Sequence, residues 1–323
     1  MKDRSISVEP AIGSGLALVL FLLLIVLPGA AFLPARGTFQ GSQDPQNPIR
    51  LNVDLVVLHA TVQNRDHVLV SGLGKDDFQV YEDGVRQQID SFSHEDIPVT
   101  VGLVIDNSGS MRPKRDEVIA AALAFARSSN PEDQIFVVNF NEKVSFGLPG
   151  GTPFADKSVP LAVALSKIAT NGMTALYDGV AAGLEHLKMG NRDKKVLIVI
   201  SDGGDNASRH KLAEVMTMAV QAEAIIYTLG IFDESDEDRN PRVLKQIAKT
   251  TGGEAFLPES LKEIVPICER IARDIRNQYT LAYISTNLKQ DGNYRTIQVK
   301  AGGGGRGNLS VRTRAGYRAP LAP

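Results

Sequence analysis

The 323-residue sequence contains no tryptophan, one cysteine and five histidines. Its single cysteine, Cys268, excludes an internal disulfide and any zinc cluster built from several cysteines. The histidines are scattered without the spacing of metal ligands, so a histidine-rich metal site is not expected. Charge is nearly balanced, with 35 Lys and Arg against 37 Asp and Glu. The chain therefore lacks the basic surplus by which nucleic-acid-binding proteins attract phosphates.

Apolar residues are plentiful, at 43% of the chain against 22% charged. This proportion supports a packed core and excludes a mostly disordered chain. The length fits one large domain or two smaller ones.

The N-terminus has the layout of an export signal. An apolar run at residues 12–27 follows Lys2 and Arg4 and ends in the small residues of 28–31. The pattern predicts a secretory signal peptide cleaved after Ala31, and an uncleaved membrane anchor is the alternative. Both predict that the rest of the chain leaves the cytoplasm, as a secreted, periplasmic, cell-surface or membrane-anchored protein.

Two β-rich segments flank the middle of the chain. After a polar linker at residues 32–48, residues 49–96 form a predicted β module with a hairpin turn at Asp83-Gly84. Residues 278–323 form a C-terminal β segment, with a second hairpin turn predicted at Asp291-Gly292. Either segment alone would bury little surface, so we expect them to pair as one sandwich-like module.

The middle of the chain, residues 97–277, has a different pattern of apolar residues. Continuous apolar runs at 99–105 and 195–201 are typical of buried parallel strands. Helical periodicity follows at 115–127 and 176–187. The alternation predicts an α/β domain with a doubly wound, mostly parallel sheet.

Oxygen-bearing side chains follow the predicted strands. The first strand runs into Asp106, Ser108 and Ser110, the second ends at Asp202, and Thr174 opens a helix between them. Because open α/β sheets place ligands at the carboxyl ends of their strands, these three loops are expected to converge.

This donor set suits a hard divalent cation. Carboxylates and hydroxyls favour Mg²⁺, with Ca²⁺ or Mn²⁺ as alternatives. Two carboxylates and three neutral hydroxyls leave such a site short of negative charge, so it could accept one more carboxylate from outside. Each fragment alone could also be a simple turn or helix cap, but their joint occurrence favours metal binding.

The five residues fill the D-x-S-x-S, Thr and Asp pattern of the metal-ion-dependent adhesion site, and residues 97–277 resemble the von Willebrand factor A domain family. The resemblance implies that Ser108, Ser110 and Thr174 can contact the metal, that Asp106 and Asp202 bind directly or through water, and that a protein ligand supplies the last carboxylate. The flanks DFQVYEDGVRQQI and YRTIQVK resemble bacterial secreted proteins related to this family.

Neighbouring residues complete the expectations. Asn107, Tyr177 and Asp205 are candidates for the ligand-facing surface, although Asp205 is more simply a solvated loop residue. The acidic residues 233–238 predict a solvated loop at the same edge, or a rim that repels acidic partners or holds a second cation. The glycine-rich residues 302–307 predict a flexible loop, and Cys268 a core position.

The leading functional hypothesis is an exported, non-enzymatic module for adhesion or assembly, which binds a protein partner through Mg²⁺ and an Asp or Glu of that partner. No nucleic acid is expected, and a membrane is contacted only through an uncleaved N-terminus. The alternatives are a metal-dependent phosphoesterase or similar hydrolase, and a structural surface-assembly protein. No G-x-S-x-G or Walker motif appears, and the candidate bases His186 and His210 have no evident orienting partner.

Overall fold

The computed structural model describes residues 55–155, 158–166, 170–232, 238–302 and 309–321. The predicted signal peptide or anchor, the linker, acidic residues 233–237 and glycine-rich residues 303–307 lie outside these ranges. Within them, no helix is both long and apolar enough to cross a membrane.

The described part of the chain contains fourteen strands and six α-helices. The strands are β1 (Leu55–Gln63), β2 (Phe78–Glu82), β3 (Val85–Gln87), β4 (Ser91–Ser93), β5 (Val99–Asp106), β6 (Gln134–Phe140), β7 (Val144–Phe146), β8 (Lys194–Ser201), β9 (Ile225–Gly230), β10 (Ala255–Phe256), β11 (Tyr279–Ile284), β12 (Tyr294–Ala301), β13 (Ser310–Arg312) and β14 (Gly316–Arg318). The helices are α1 (Arg115–Ser128), α2 (Ser158–Ser166), α3 (Leu176–Leu187), α4 (Leu212–Gln221), α5 (Pro241–Thr251) and α6 (Ile264–Arg276).

The central sheet has the order β10-β9-β8-β5-β6-β7. All its pairings are parallel except that of β7 with β6. Every residue of β5 is buried, as its unbroken apolar pattern predicts. Helix α1 packs with α2 and α6, while α4 packs with α3 and α5, which gives a helical layer on each face. The predicted doubly wound α/β domain is confirmed.

The β segments at the two ends of the described chain pair with each other. One sheet has the order β13-β1-β11-β4 and the other β14-β12-β2-β3. Leu58 opposes Leu281, and Val80 opposes Val299. All four side chains belong to one buried cluster shared by both sheets. The expected sandwich-like module is therefore present, with the α/β domain inserted between β4 and β11.

A buried polar cluster ties the two ends together inside this sandwich. The Glu82 carboxylate, 2% exposed, accepts hydrogen bonds from Tyr283 Oη at 2.7 Å, Ser285 Oγ at 2.6 Å and Tyr317 Oη at 3.0 Å. Arg295 Nη1, also buried, lies 3.3 Å from Glu82 Oε1. A residue of the N-terminal β segment thus satisfies four groups of the C-terminal one.

The turn predictions have different outcomes. The Asp83-Gly84 hairpin is confirmed, with φ of 47° and 81° at its two residues. The hairpin expected at Asp291-Gly292 is wrong, because β11 and β12 lie in different sheets and the chain crosses between them there. Cys268 is 1% exposed in the core, as expected.

Candidate metal centre

Two neighbouring strands bring the candidate carboxylates to one edge of the central sheet. Asp106 is the last residue of β5 and Asp202 directly follows β8, which pairs with β5 in parallel. Both residues are 2% exposed. Ser201, at the end of β8, donates from Oγ to Asp106 Oδ2 at 2.6 Å. The parallel register therefore places the two acidic residues side by side.

The loop after β5, residues 107–110, links them further. Asp106 Oδ1 accepts the Ser108 backbone N–H at 2.8 Å, which closes a tight turn. Ser108 Oγ and Ser110 Oγ are 3.1 Å apart, and Ser110 Oγ donates to Asp202 Oδ2 at 2.5 Å. Four of the five predicted ligands thus form one hydrogen-bonded chain.

The loop that carries Thr174, hereafter the Thr174 loop, packs against both of these segments. The Gly109 N–H donates to Gly172 O at 3.1 Å. On the other side, Thr174 N donates to Asn206 Oδ1 at 2.9 Å, and Asn206 N donates to Thr174 O at 2.9 Å. Thr174 is 7% exposed. No hydrogen bond joins the Thr174 hydroxyl to the side chains of the other four predicted ligands within the described ranges. Its oxygen is therefore available as a metal ligand.

Gly172 shows how closely the Thr174 loop is packed. Its φ is 82°, which disfavours any other residue, and a Cβ there would stand 1.6 Å from Glu142 Oε2. Glu142 Oε2 in turn accepts the Met173 N–H at 3.0 Å. A glycine is therefore needed for the loop to reach its neighbours.

The electrostatics of this cluster favour a cation. Burial raises the pKa of Asp106 to about 6, the charge of Asp202 adds to the rise, and hydrogen bonds from Ser201 and Ser108 oppose it. Neither carboxylate forms an ion pair with a basic side chain in the described part of the protein. A bound divalent cation would supply the missing positive charge.

The chemistry of the donors also fits such an ion. The described residues contain no cluster of three or more His, Cys, Asp and Glu side chains able to hold a metal. The other ligands of a cation at Asp106 and Asp202 would therefore be hydroxyls, backbone carbonyls or water. Oxygen donors of this kind match Mg²⁺, Ca²⁺ or Mn²⁺.

The three predicted ligand-face residues lie in different settings. The buried Asn107 amide donates inward, to Ile105 O at 3.2 Å and to Asn139 Oδ1 at 3.0 Å, and so braces the loop after β5. Tyr177 is half-buried in the first turn of α3. Burial raises the pKa of its hydroxyl, and the charge of Asp205 adds to the rise.

Asp205 has a structural role rather than a simply solvated one. Its Oδ1 accepts the Tyr177 N–H at 3.2 Å and the Ser208 hydroxyl at 2.6 Å. A carboxylate from another loop therefore caps the start of α3, where free N–H groups and the helix dipole favour a negative charge.

The two candidate bases also differ. His210 Nδ1 lies 2.7 Å from Asp178 Oδ1, so the expectation that it lacks an orienting partner is wrong. Burial acts to raise the pKa of Asp178, but hydrogen bonds from the His210 and Arg209 N–H groups and the His210 ring lower it overall. His186 Nε2 contacts Pro153 O at 2.9 Å, and the ring packs among phenylalanines.

Several residues that support the candidate site were not predicted from the sequence. Ser201 and Asn206 hold the loops in place, and Asp178 pairs with His210 across 32 positions of the chain. The hydroxyl at the end of a buried strand was a usable signal for Ser201. The Asp178–His210 pair has no local signal, because it exists only once α3 and the loop before α4 are packed together.

Comparison with known proteins gives the family. The family model of the von Willebrand factor type A domain matches residues 100–268, more than half of the chain and the part that carries all three loops. The chain belongs to the von Willebrand factor type A domain family. Members of this family often bind a divalent metal at the adhesion-site motif.

Individual relatives are distant. An uncharacterized protein of Synechocystis is 23% identical over 184 residues, which cover 56% of this chain and 42% of that protein. The von Willebrand factor type A protein from Catenulispora acidiphila superposes with a TM-score of 0.50 at 14% identity, covering 84% of this chain and 74% of that one. The second similarity shows the fold alone. The structural similarity covers 84% of this chain, whereas the sequence match to the Synechocystis relative covers 56%.

Proposed function

We propose that this protein is an exported, non-enzymatic binding module that holds a divalent cation and uses it to bind an acidic residue of a protein partner. The proposed ligands are Asp106, Ser108, Ser110, Thr174 and Asp202, and Mg²⁺ is the proposed ion. The observation that supports this most directly is the hydrogen-bonded chain from Asp106 to Asp202, whose two buried carboxylates have no basic partner among the described residues.

The charge of the site supports a carboxylate from outside. Only two of the five proposed ligands carry a charge, and the three hydroxyls are neutral and weaker donors, so the shell can take a further charged oxygen. An incoming Asp or Glu would complete the shell with a charged oxygen. The surface beside the site is open, since Ser110 is half-buried and Met173, next to Thr174, is 55% exposed.

Export is proposed from the sequence, because residues 12–27 have the composition of a signal peptide or anchor. A module carried outside the cytoplasm meets millimolar divalent cations and surface proteins. Adhesion and assembly are the processes that such chemistry serves.

A hydrolase is the second candidate, and one observation favours it. The Asp178 carboxylate orients the His210 ring, as a general base would require. Binding is the stronger proposal because Asp178 is also used by two backbone N–H groups, and so has a structural reason to be there.

The test uses the purified full chain and an array of immobilised octapeptides, each with one Asp or Glu in an Ala, Ser and Val background. We expect binding to acidic peptides in millimolar Mg²⁺, no binding in EDTA, and no binding to the matching Asn and Gln peptides. Asp106→Ala should lose both peptide binding and Mg²⁺ binding measured by calorimetry. Asp66→Ala, at an exposed acidic residue in the loop after β1, is the matched control and should behave as the wild type.

Two results would contradict the proposal. Peptide binding that survives EDTA would show that no metal bridges the contact. Hydrolysis of bis(p-nitrophenyl) phosphate that is lost in both Asp106→Ala and His210→Ala would favour the hydrolase.

A further inference from the structure

A groove adjoins the candidate metal centre. It has a volume of about 610 Å³ and lies alongside α3, between the turn joining β6 to β7 and the start of α4. Glu142 lines one end of this α3 groove, and its carboxylate accepts the Met173 N–H of the Thr174 loop. The groove therefore lies next to the Thr174 loop.

The lining of the α3 groove is partly apolar. Val144, Ala182 and Met218 are half-buried in it, and Ala181 lies beside them. Two adjacent alanines leave room for the backbone of another chain to approach. The helix face from Asp178 to Glu185 is about 10 Å long at 1.5 Å per residue. That length accommodates about three residues of extended chain.

The acidic groups along the α3 groove are largely satisfied. Asp178 accepts the His210 ring at 2.7 Å as well as two backbone N–H groups. Glu185 pairs with Lys188 at 2.7 Å. Glu142 accepts the Met173 N–H at 3.0 Å and forms no ion pair within the described ranges.

Two basic groups of the α3 groove have no such compensation. Lys143 and Arg209 are both exposed and both line the groove. Their backbone N–H groups are bonded, to Asn141 and to Asp178, but neither side chain forms an ion pair within the described ranges. The groove thus combines a partly apolar lining with two exposed basic side chains outside any ion pair of the described residues, beside the carboxylates of Glu142, Asp178 and Glu185.

We propose that the α3 groove binds an extended, acidic segment of the partner, with a small apolar residue against Val144 and Met218 and a carboxylate facing Lys143 or Arg209. This inference rests on the proposed function and extends it from one carboxylate to two. One acidic residue of the partner binds the metal, and a second, a few residues away, binds the groove. The charges of Lys143 and Arg209 select the second acidic residue and steer the segment toward the metal.

The test compares the wild type with the double charge reversal Lys143→Glu/Arg209→Glu. The control, Lys245→Glu/Lys249→Glu, makes the same change in net charge at two exposed positions of α5. The probes are fluorescein-labelled octapeptides with two Asp residues separated by one to four Ala or Val residues, together with versions in which the distal Asp is Asn or Lys. Affinity is measured by fluorescence polarisation with the full chain in Mg²⁺ and in EDTA.

We expect the groove reversal to weaken the best two-Asp peptide about tenfold or more, since it replaces attraction by repulsion at two positions. The α5 control should stay within about twofold of the wild type. The distal Asn peptide should be insensitive to the groove reversal, and the distal Lys peptide should bind the reversed variant better than the wild type. That exchange of preference is not expected from a general loss of structure.

The failures are distinguishable. If no peptide binds, the groove proposal is overturned. If the groove reversal leaves the affinity for the two-Asp peptide unchanged while EDTA abolishes binding, the groove proposal is overturned but metal bridging stands. If the reversal abolishes binding but EDTA has no effect, the groove proposal stands and metal bridging is wrong.

Discussion

The sandwich that carries the α/β domain should depend on one buried carboxylate. Glu82 accepts three hydroxyl hydrogen bonds and pairs with Arg295, and both charged groups are almost fully buried. Glu82→Ala leaves Arg295 without its counter-charge, and breaking a buried pair in this way costs about 3–5 kcal/mol. Arg295 keeps the carbonyls of Asn287 and Lys289 as acceptors, which favours the lower end of that range.

The hydroxyls add to this cost. Tyr283 and Tyr317 each lose an acceptor, and an unsatisfied buried hydroxyl costs about 1 kcal/mol or more unless water reaches it. We therefore expect Glu82→Ala to lower the free energy of unfolding by about 5 kcal/mol. Glu82→Gln keeps the shape but not the charge, and should cost less.

The assay is urea denaturation followed by far-UV circular dichroism and tyrosine fluorescence, since the chain has no tryptophan. Glu259→Ala, an exposed glutamate in a loop, is the control and should change stability by no more than about 0.5 kcal/mol. A loss below about 1 kcal/mol for Glu82→Ala would contradict this prediction, because the cluster would then not hold the two β segments together.

Three further predictions concern the α/β domain. Asp205→Ala removes the cap of α3 and should cost about 1 kcal/mol in urea denaturation, while Asp205→Asn should retain most of the stability; equal stability of all three proteins would contradict the capping role. Burial lowers the pKa of Lys194 from 10.5 to about 7. Between these two pH values the unfolded chain binds more protons than the folded one. The free energy of unfolding should therefore rise with pH, by up to about 1.4 kcal/mol per pH unit. Lys194→Met should lack this rise when both proteins are denatured across that pH range. Gly203→Ala should cost more than about 1 kcal/mol, because φ is 80° and a Cβ would stand 2.5 Å from Asn240 O; an unchanged denaturation midpoint would count against it.

The fold could be predicted where the pattern was long and one-sided. Strands β5 and β8 are eight residues each and almost entirely buried, and continuous apolar runs of this length between turns are typical of central parallel strands. Strands β7 and β14 could not be predicted, because three residues carry no readable period. At Asp291-Gly292 the sequence predicts a hairpin wrongly, since local turn chemistry does not specify which sheet the next strand joins.

The candidate site likewise has a part that the sequence predicts and a part that it does not. Asp106 and Asp202 could be placed at one edge because each follows a predicted strand, and parallel strands end together. The supporting contacts could not be predicted, since Ser201, Asn206 and Asp205 act on residues far away in the sequence. The α3 groove is a product of packing alone, and no local pattern marks Lys143 and Arg209 as neighbours of one surface.

The proposed function depends on a divalent cation bound between Asp106 and Asp202, and thermal unfolding of the full chain measures that binding directly. The wild type and Asp106→Ala are each melted in EDTA and in Mg²⁺ at about 100 times its dissociation constant. We expect Mg²⁺ to stabilise the wild type by about 2.7 kcal/mol, a rise of a few degrees in Tm, and to leave Asp106→Ala unchanged. Equal Tm values for the wild type in Mg²⁺ and EDTA, or an equal rise in both proteins, would show that no cation binds at this site.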